Sequence, residues 1–182
     1  MEYAGSNRGR QAENAAACIG AAGPAGFQAA WRHIVDVFRA NGATNVAWVF
    51  CPGSSSYAPN ATAQGVDAAL YYPGNDYVDW IGEDAYSRST LITLPNLVAG
   101  MYQVYGNSGK PLIVCETGAE GVNQPAFLSS ATKLPTEDPN LKAIVYFDSH
   151  GPLGTYVFTS QGLAEFAALA QNPAFSALAP TA

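Results

Sequence analysis

Residues 110–119 read KPLIVCETGA, a lysine and a proline, four apolar residues, then a carboxylate, a threonine, a glycine and an alanine. A continuous apolar run such as Leu112 to Cys115, closed by turn residues, has the form of a buried strand; a half-solvated strand would alternate. The reading puts Glu116 at the strand end, projecting toward the mouth of the fold on the same side as Leu112 and Val114. Three further segments share this form. They are Asn45 to Phe50 (NVAWVF), which runs into Cys51-Pro52-Gly53, Tyr77 to Tyr86 (YVDWIGEDAY), and Ala143 to Asp148 (AIVYFD). The four strands begin near residues 45, 78, 111 and 143, a repeat of 32 to 33 residues that matches one βα unit each time.

Helical patterns fill the intervals. Phe27 to Asn41 carries Trp31, Ile34, Val35 and Phe38 at helical spacing and stops at Gly42. Pro95 to Tyr105 has a proline in its first turn and closes at Gly106. A looser helical stretch covers Pro125 to Lys133, and Gln161 to Ala170 is Ala-rich. Ala12 to Gly26, rich in Ala and Gly, reads as a loop. Alternating strands and helices make the fold α/β, with a parallel sheet expected to be covered on both faces.

Composition narrows the function. The 182 residues are 48% hydrophobic and 12% charged, with 8 Lys and Arg against 14 Asp and Glu, which fits one domain spanning 1–182. That balance provides no basic stripe for a phosphate backbone, so no nucleic-acid partner is expected. No apolar run approaches the roughly 18 residues of a membrane span, and MEYAGSNRGR has no apolar export segment. Cys18, Cys51 and Cys115 form no CxxC pair, so they read as incidental thiols, and neither a metal nor another cofactor is expected.

In parallel α/β folds the chemistry gathers at the carboxyl ends of strands. Three strand ends are polar: Glu83-Asp84-Ala85-Tyr86, Cys115-Glu116-Thr117-Gly118, and Phe147-Asp148-Ser149-His150. Asp84 shares the face of Tyr86 by strand alternation. Hydrolysing a glycosidic bond takes two carboxyl groups, one protonated and one nucleophilic or basic. Glu116 therefore needs a partner, and Glu2, Glu83, Asp84 and Asp148 are the candidates. Aromatic residues in or beside strands, Trp48, Tyr72, Trp80 and Tyr146, are able either to stack on sugar faces or to pack in the core. His150 follows a strand end and is a candidate ligand contact, whereas His33 lies on a helix and reads as structural.

Several segments together resemble glycoside hydrolase family 26, the β-mannanase family. They are AAWRHIVDVFRANGATNVAWVF (29–50), YYPGNDYVDWIGEDAYS (71–87), KPLIVCETGA (110–119) and the closing FD…QNPAF (147–175). The resemblance implies that Glu116 is the catalytic nucleophile and that Tyr86, ending the sixth barrel strand, orients it. It lays Met1-Glu2-Tyr3-Ala4-Gly5 over the family's His-Glu-Met-Asn-Gly motif, so Glu2 takes the acid/base position, with Met1 replacing the histidine and Ala4 the asparagine. The implied reaction is retaining endo-hydrolysis of a β-1,4-linked plant polysaccharide, mannan, outside the cell. A β-glucan or xylan hydrolase, or a catalytically impaired carbohydrate-binding remnant, is the alternative.

Length then acquires a meaning. A complete (β/α)8 barrel takes about 250 residues, and a repeat of 32 to 33 leaves room for about five units in 182. If Glu2 ends the fourth strand, the others are the fifth to eighth. The expectation is an incomplete TIM barrel with an open sheet edge and self-association through it.

Overall fold

A computed structural model describes residues 23–152 and 154–176. Contacts divide these into two units, one ending at Gly82 and the other beginning at Glu83.

The first unit opens with helix α1, Gly23–Ala40, which buries Phe27, Trp31 and Val35 at four-residue intervals. It begins four residues before the periodic segment, so Gly23 to Gly26, expected in a loop, are its first turn; Pro24 lacks only an N–H that has no intrahelical partner there. Gly42 stands at φ +71°, the left-handed conformation that suits a helix stop. Strand β1 is only Val49–Phe50. The expected strand from Asn45 is shortened, although Trp48 already takes part in pairing: its N–H donates to Asp79 Oδ2 at 2.7 Å and its carbonyl accepts from Asp79 N at 2.8 Å.

Helix α2, Ala68–Tyr71, is capped by Asp67, whose carboxylate accepts from Ala69 N. Strand β2 is Trp80–Ser87, and its opening residues pair in parallel with β1, Val49 with Trp80 and Phe50 with Ile81. The unit's core is aromatic, with Phe27, Trp31, Phe50 and Tyr71 each under 9% exposed.

The second unit takes the rest of β2 and continues through α3 (Leu94–Tyr105), β3 (Leu112–Ala119), α4 (Gln124–Ser130), α5 (Leu134–Glu137) and β4 (Leu141–Tyr146). A small antiparallel hairpin, β5 (His150–Gly151) and β6 (Gly154–Thr155), precedes α6 (Ser160–Ala170) and α7 (Pro173–Ser176). The main sheet has the order β1-β2-β3-β4, with β3 and β4 parallel. Sequential order with a helical crossover is the α/β arrangement that the repeat predicts. A strand ending at Glu2 would lie outside the described residues, as do Cys18 and the earlier part of the Ala/Gly-rich segment.

Two expectations about the sheet need correction. One face of β3 and β4 is only partly covered. Along β3, Leu112, Val114 and Thr117 are fully buried while Ile113, Cys115 and Glu116 are partly exposed, and in β4 Val145 is 49% exposed. Glu116 also does not share a side with Leu112 and Val114. The β3–β4 register shifts between Val114 and Thr117, breaking strict alternation so that Cys115 and Glu116 are both on the partly open side.

Candidate active site

The register shift in β3 is fastened just beyond Glu116. Thr117 is fully buried, its hydroxyl donates to the carbonyl of Ala85 at 2.6 Å, and its own carbonyl accepts from Phe147 N at 2.8 Å. Thr117 thus joins β3 to the strand before it and to the chain leaving β4. The preceding Glu116 is held at the rim of the sheet.

Tyr86, one residue from the end of β2, donates its phenol to Glu116 Oε2 at 2.7 Å, a short hydrogen bond. Burial pushes the phenol well above its ordinary pKa, and the hydrogen bond and negative charge of Glu116 push it further. Tyr86 therefore stays a donor at any physiological pH and fixes one oxygen of the carboxylate. Its ring lies 4.7 Å from that of Tyr156, tilted by 45°, and 6.3 Å from that of Phe147, edge to face. The unit thus carries a half-exposed carboxylate oriented by a proton-bearing phenol, which itself sits in an aromatic bed.

The other carboxylates near strand ends differ sharply. Asp84 is partly exposed and stands two residues before Tyr86 on the same face of β2. Asp148 is spent on structure, its Oδ1 accepting from Phe158 N at 2.8 Å. Glu83 is fully buried, and neither of its oxygens has a hydrogen-bond partner among the described residues. Burial first, then the charges of Asp84 and Cys115, raise its carboxyl well above the usual range, which favours the protonated form. Glu2 lies outside the described residues.

The aromatic candidates are mostly used internally. Trp48 precedes β1, at its amino end, with its ring edge-on to Trp31 at 6.2 Å and to Phe38 at 5.1 Å. Trp80 is the first residue of β2, again the amino end. Tyr72 donates to Asn75 Oδ1 at 2.8 Å. Tyr146 ends β4, but its ring is stacked on Phe158 at 4.0 Å and 16°, and its hydroxyl donates to the carbonyl of Tyr156 at 3.0 Å. His150 is exposed on the hairpin, its Nδ1 3.1 Å from Thr155 Oγ1. Sequence reasoning passed over Tyr156 and the ring of Phe147. The available signal was an aromatic immediately after a Gly-containing hairpin that itself follows a polar strand end.

The sequence pattern of glycosyl hydrolase family 26 matches residues 18–134, well over half of the chain. The chain belongs to glycosyl hydrolase family 26. Both Tyr86 and Glu116 lie inside the matched stretch. Among curated relatives of this family 26 chain, Endoglucanase H of Acetivibrio thermocellus is 34% identical over 131 residues, which is 66% of the chain and 14% of that protein. Among solved structures, a family 26 β-mannanase of Bacteroides ovatus superposes with a TM-score of 0.59 at 22% identity, covering 83% of the chain and 44% of its counterpart. A double mutant of an endo-β-1,4-mannanase from Cellulomonas fimi gives the same TM-score at 20% identity, covering 84% and 36%. The family 26 chain thus spans a seventh of the curated relative and less than half of each solved structure. Its α/β fold is part of the barrel of those structures.

Proposed function

We propose that the chain carries the nucleophile side of a retaining glycosidase site that cleaves β-1,4-linked plant polysaccharide internally, with mannan as the substrate. The observation that carries this reading is the 2.7 Å hydrogen bond from Tyr86 to Glu116 at the ends of adjacent strands. Glu116 attacks the anomeric carbon while a second carboxyl group protonates the departing sugar oxygen; the same group then activates water to release the glycosyl-enzyme. Glu2 is proposed as that second group. Retention of configuration requires the two carboxyls to lie about 5 to 5.5 Å apart. Tyr86 keeps one Glu116 oxygen engaged and the carboxylate plane fixed, an ordering that favours the attack geometry. Asp84 and His150 are proposed sugar contacts.

Substrate choice rests on names borne by similar proteins, and these point in two directions. The solved neighbours are titled mannanases, whereas the curated relative is called an endoglucanase. A β-glucan is therefore the second substrate reading. Polymeric substrates of this kind do not cross membranes, so action outside the cell goes with the proposal; among the described residues no helix is long and apolar enough to span a membrane. Self-association through the β4 edge is proposed as well, because Val145 on that edge strand is 49% exposed.

The test is release of reducing ends by the 182-residue chain from soluble mannan, mixed-linkage β-glucan and xylan, with Glu116→Ala as control. Hydrolysis of mannan, abolished in the variant, supports the reading. Binding of mannan without hydrolysis favours a carbohydrate-binding remnant, and neither binding nor hydrolysis overturns both. A monomer at high concentration in light scattering contradicts self-association.

A further inference from the structure

Tyr156 is 3% exposed and lies between two strand-end glycines and the phenol that holds Glu116. Its backbone is pinned on both sides. The N–H donates to the carbonyl of Ser149 at 3.0 Å, and the carbonyl accepts from the Tyr146 hydroxyl at 3.0 Å. Gln124, fully buried at the start of α4, clamps the following residues: its Nε2 donates to the carbonyl of Val157 at 2.9 Å and its Oε1 accepts from Thr159 N at 2.7 Å. These bonds fix the backbone from which the Tyr156 ring projects.

The ring's own position is set by absent side-chain atoms. A Cβ on Gly118 would lie 2.9 Å from Tyr156 Cδ1, and a Cβ on Gly154 would meet first Glu120 Oε1 and then the Tyr156 hydroxyl at 3.0 Å. Neither glycine has a positive φ, so backbone freedom does not explain them. What they share is space for one aromatic ring. Gly118 is two residues beyond Glu116, so the motif Glu116-Thr117-Gly118 supplies the carboxylate, the strand lock and the seat for this ring in sequence. With Tyr86 at 4.7 Å, Phe147 at 6.2 Å and the Tyr86–Phe147 pair at 6.3 Å, three rings form a closed triangle. In close-packed surroundings a tyrosine ring held on two sides has little freedom to swing.

We propose that Tyr156, seated by Gly118 and Gly154, is a positioning residue: it sets the tilt of the Tyr86 ring and so the placement of the Tyr86 hydroxyl on Glu116. The effect is carried by the ring, and the Tyr156 hydroxyl is dispensable. The proposal deepens the hydrolase reading, on which its kinetic readout depends, while its geometric readout does not.

The test compares Tyr156→Phe, Tyr156→Leu and Gly118→Ala in the full chain, each checked for a cooperative melt. Crystal structures read the distance from the Tyr86 hydroxyl to Glu116, and mannan or β-glucan kinetics read kcat and KM separately. Tyr156→Phe is expected to keep the short hydrogen bond and the parent rate. Tyr156→Leu and Gly118→Ala are expected to lengthen it past hydrogen-bonding distance and to lower kcat roughly tenfold to a hundredfold with KM little changed, the signature of misplacement. If Tyr156→Leu does not fold, Gly118→Ala, which displaces the ring without removing it, decides. A short Tyr86–Glu116 bond retained in Gly118→Ala, or in Tyr156→Leu where it folds, overturns the proposal. Absence of hydrolysis by the parent chain removes only the hydrolase reading, because the distances still decide.

Discussion

The two units solve the same packing problem with the same kind of residue and reach different chemistry. In the first, Phe27, Trp31, Phe50 and Tyr71 interlock edge to face or tilted at 5.7 to 6.5 Å. Its polar handles end on backbone carbonyls: Trp31 Nε1 donates to Tyr77 at 2.8 Å, Arg32 Nε to Pro73 at 2.7 Å, and the Tyr57 hydroxyl to Gly82 at 2.9 Å. In the second unit, Tyr86, Phe147 and Tyr156 pack as tightly, yet the handle of Tyr86 ends on a half-exposed carboxylate. A phenol bonded to a carbonyl stabilises a fold; the same phenol bonded to a reachable carboxylate also orients a reactive group.

The comparison is most severely tested by deleting the aromatic anchor of the first unit. Trp31→Ala removes a large buried ring and orphans the Tyr77 carbonyl, so a stability loss of about 3 to 5 kcal/mol is expected in thermal or urea unfolding. A loss below 1 kcal/mol would show that this cluster is not the core it is taken to be.

Tyr86→Phe is the counterpart in the second unit. It keeps the ring triangle and removes only the handle, so the melt is expected to change little while kcat falls roughly tenfold to a hundredfold, about 1.4 to 2.7 kcal/mol in the barrier. If stability falls and rate does not, the two regions are alike after all.

Glu83 sharpens the contrast within the second unit, because β2 carries a buried carboxyl without a partner among the described residues, three positions before the phenol that grips Glu116. Its folded pKa is raised, mainly by burial. Its contribution is therefore fully present at acid pH and declines as pH rises from the ordinary carboxyl range through the folded value, since the unfolded chain ionises first. Stability is expected to fall with pH above about 4.3 by at most about 1.4 kcal/mol per pH unit, and Glu83→Gln is expected to flatten that slope. A slope unchanged in Glu83→Gln would assign the pH dependence to other groups.

Much of the fold is legible in the sequence. Repeated apolar runs ending in polar residues placed β2, β3 and β4 within a few residues, and Gly42 and Pro95 marked helix ends because their backbones suit few alternatives. Glu116 and Tyr86 stand in motifs that are legible in the sequence, and a hydrogen bond joins them in the fold. What local pattern did not carry was the register shift at Cys115-Glu116, which arises from pairing with β4 and reverses the side on which Glu116 was expected. Nor does it carry Tyr156, which two glycines 36 residues apart in the chain, Gly118 and Gly154, both approach closely. Trp48 and Tyr146 had the residue type of sugar platforms, but their rings meet Phe38 and Phe158.

The central claim is that Glu116 is a nucleophile. Incubating the chain with an activated 2-deoxy-2-fluoro-β-mannoside or glucoside and digesting it for mass spectrometry tests this directly. One covalent glycosyl adduct is expected on the peptide containing Glu116, absent in Glu116→Ala. An adduct on another carboxylate, or turnover of polysaccharide with no adduct at all, would contradict it.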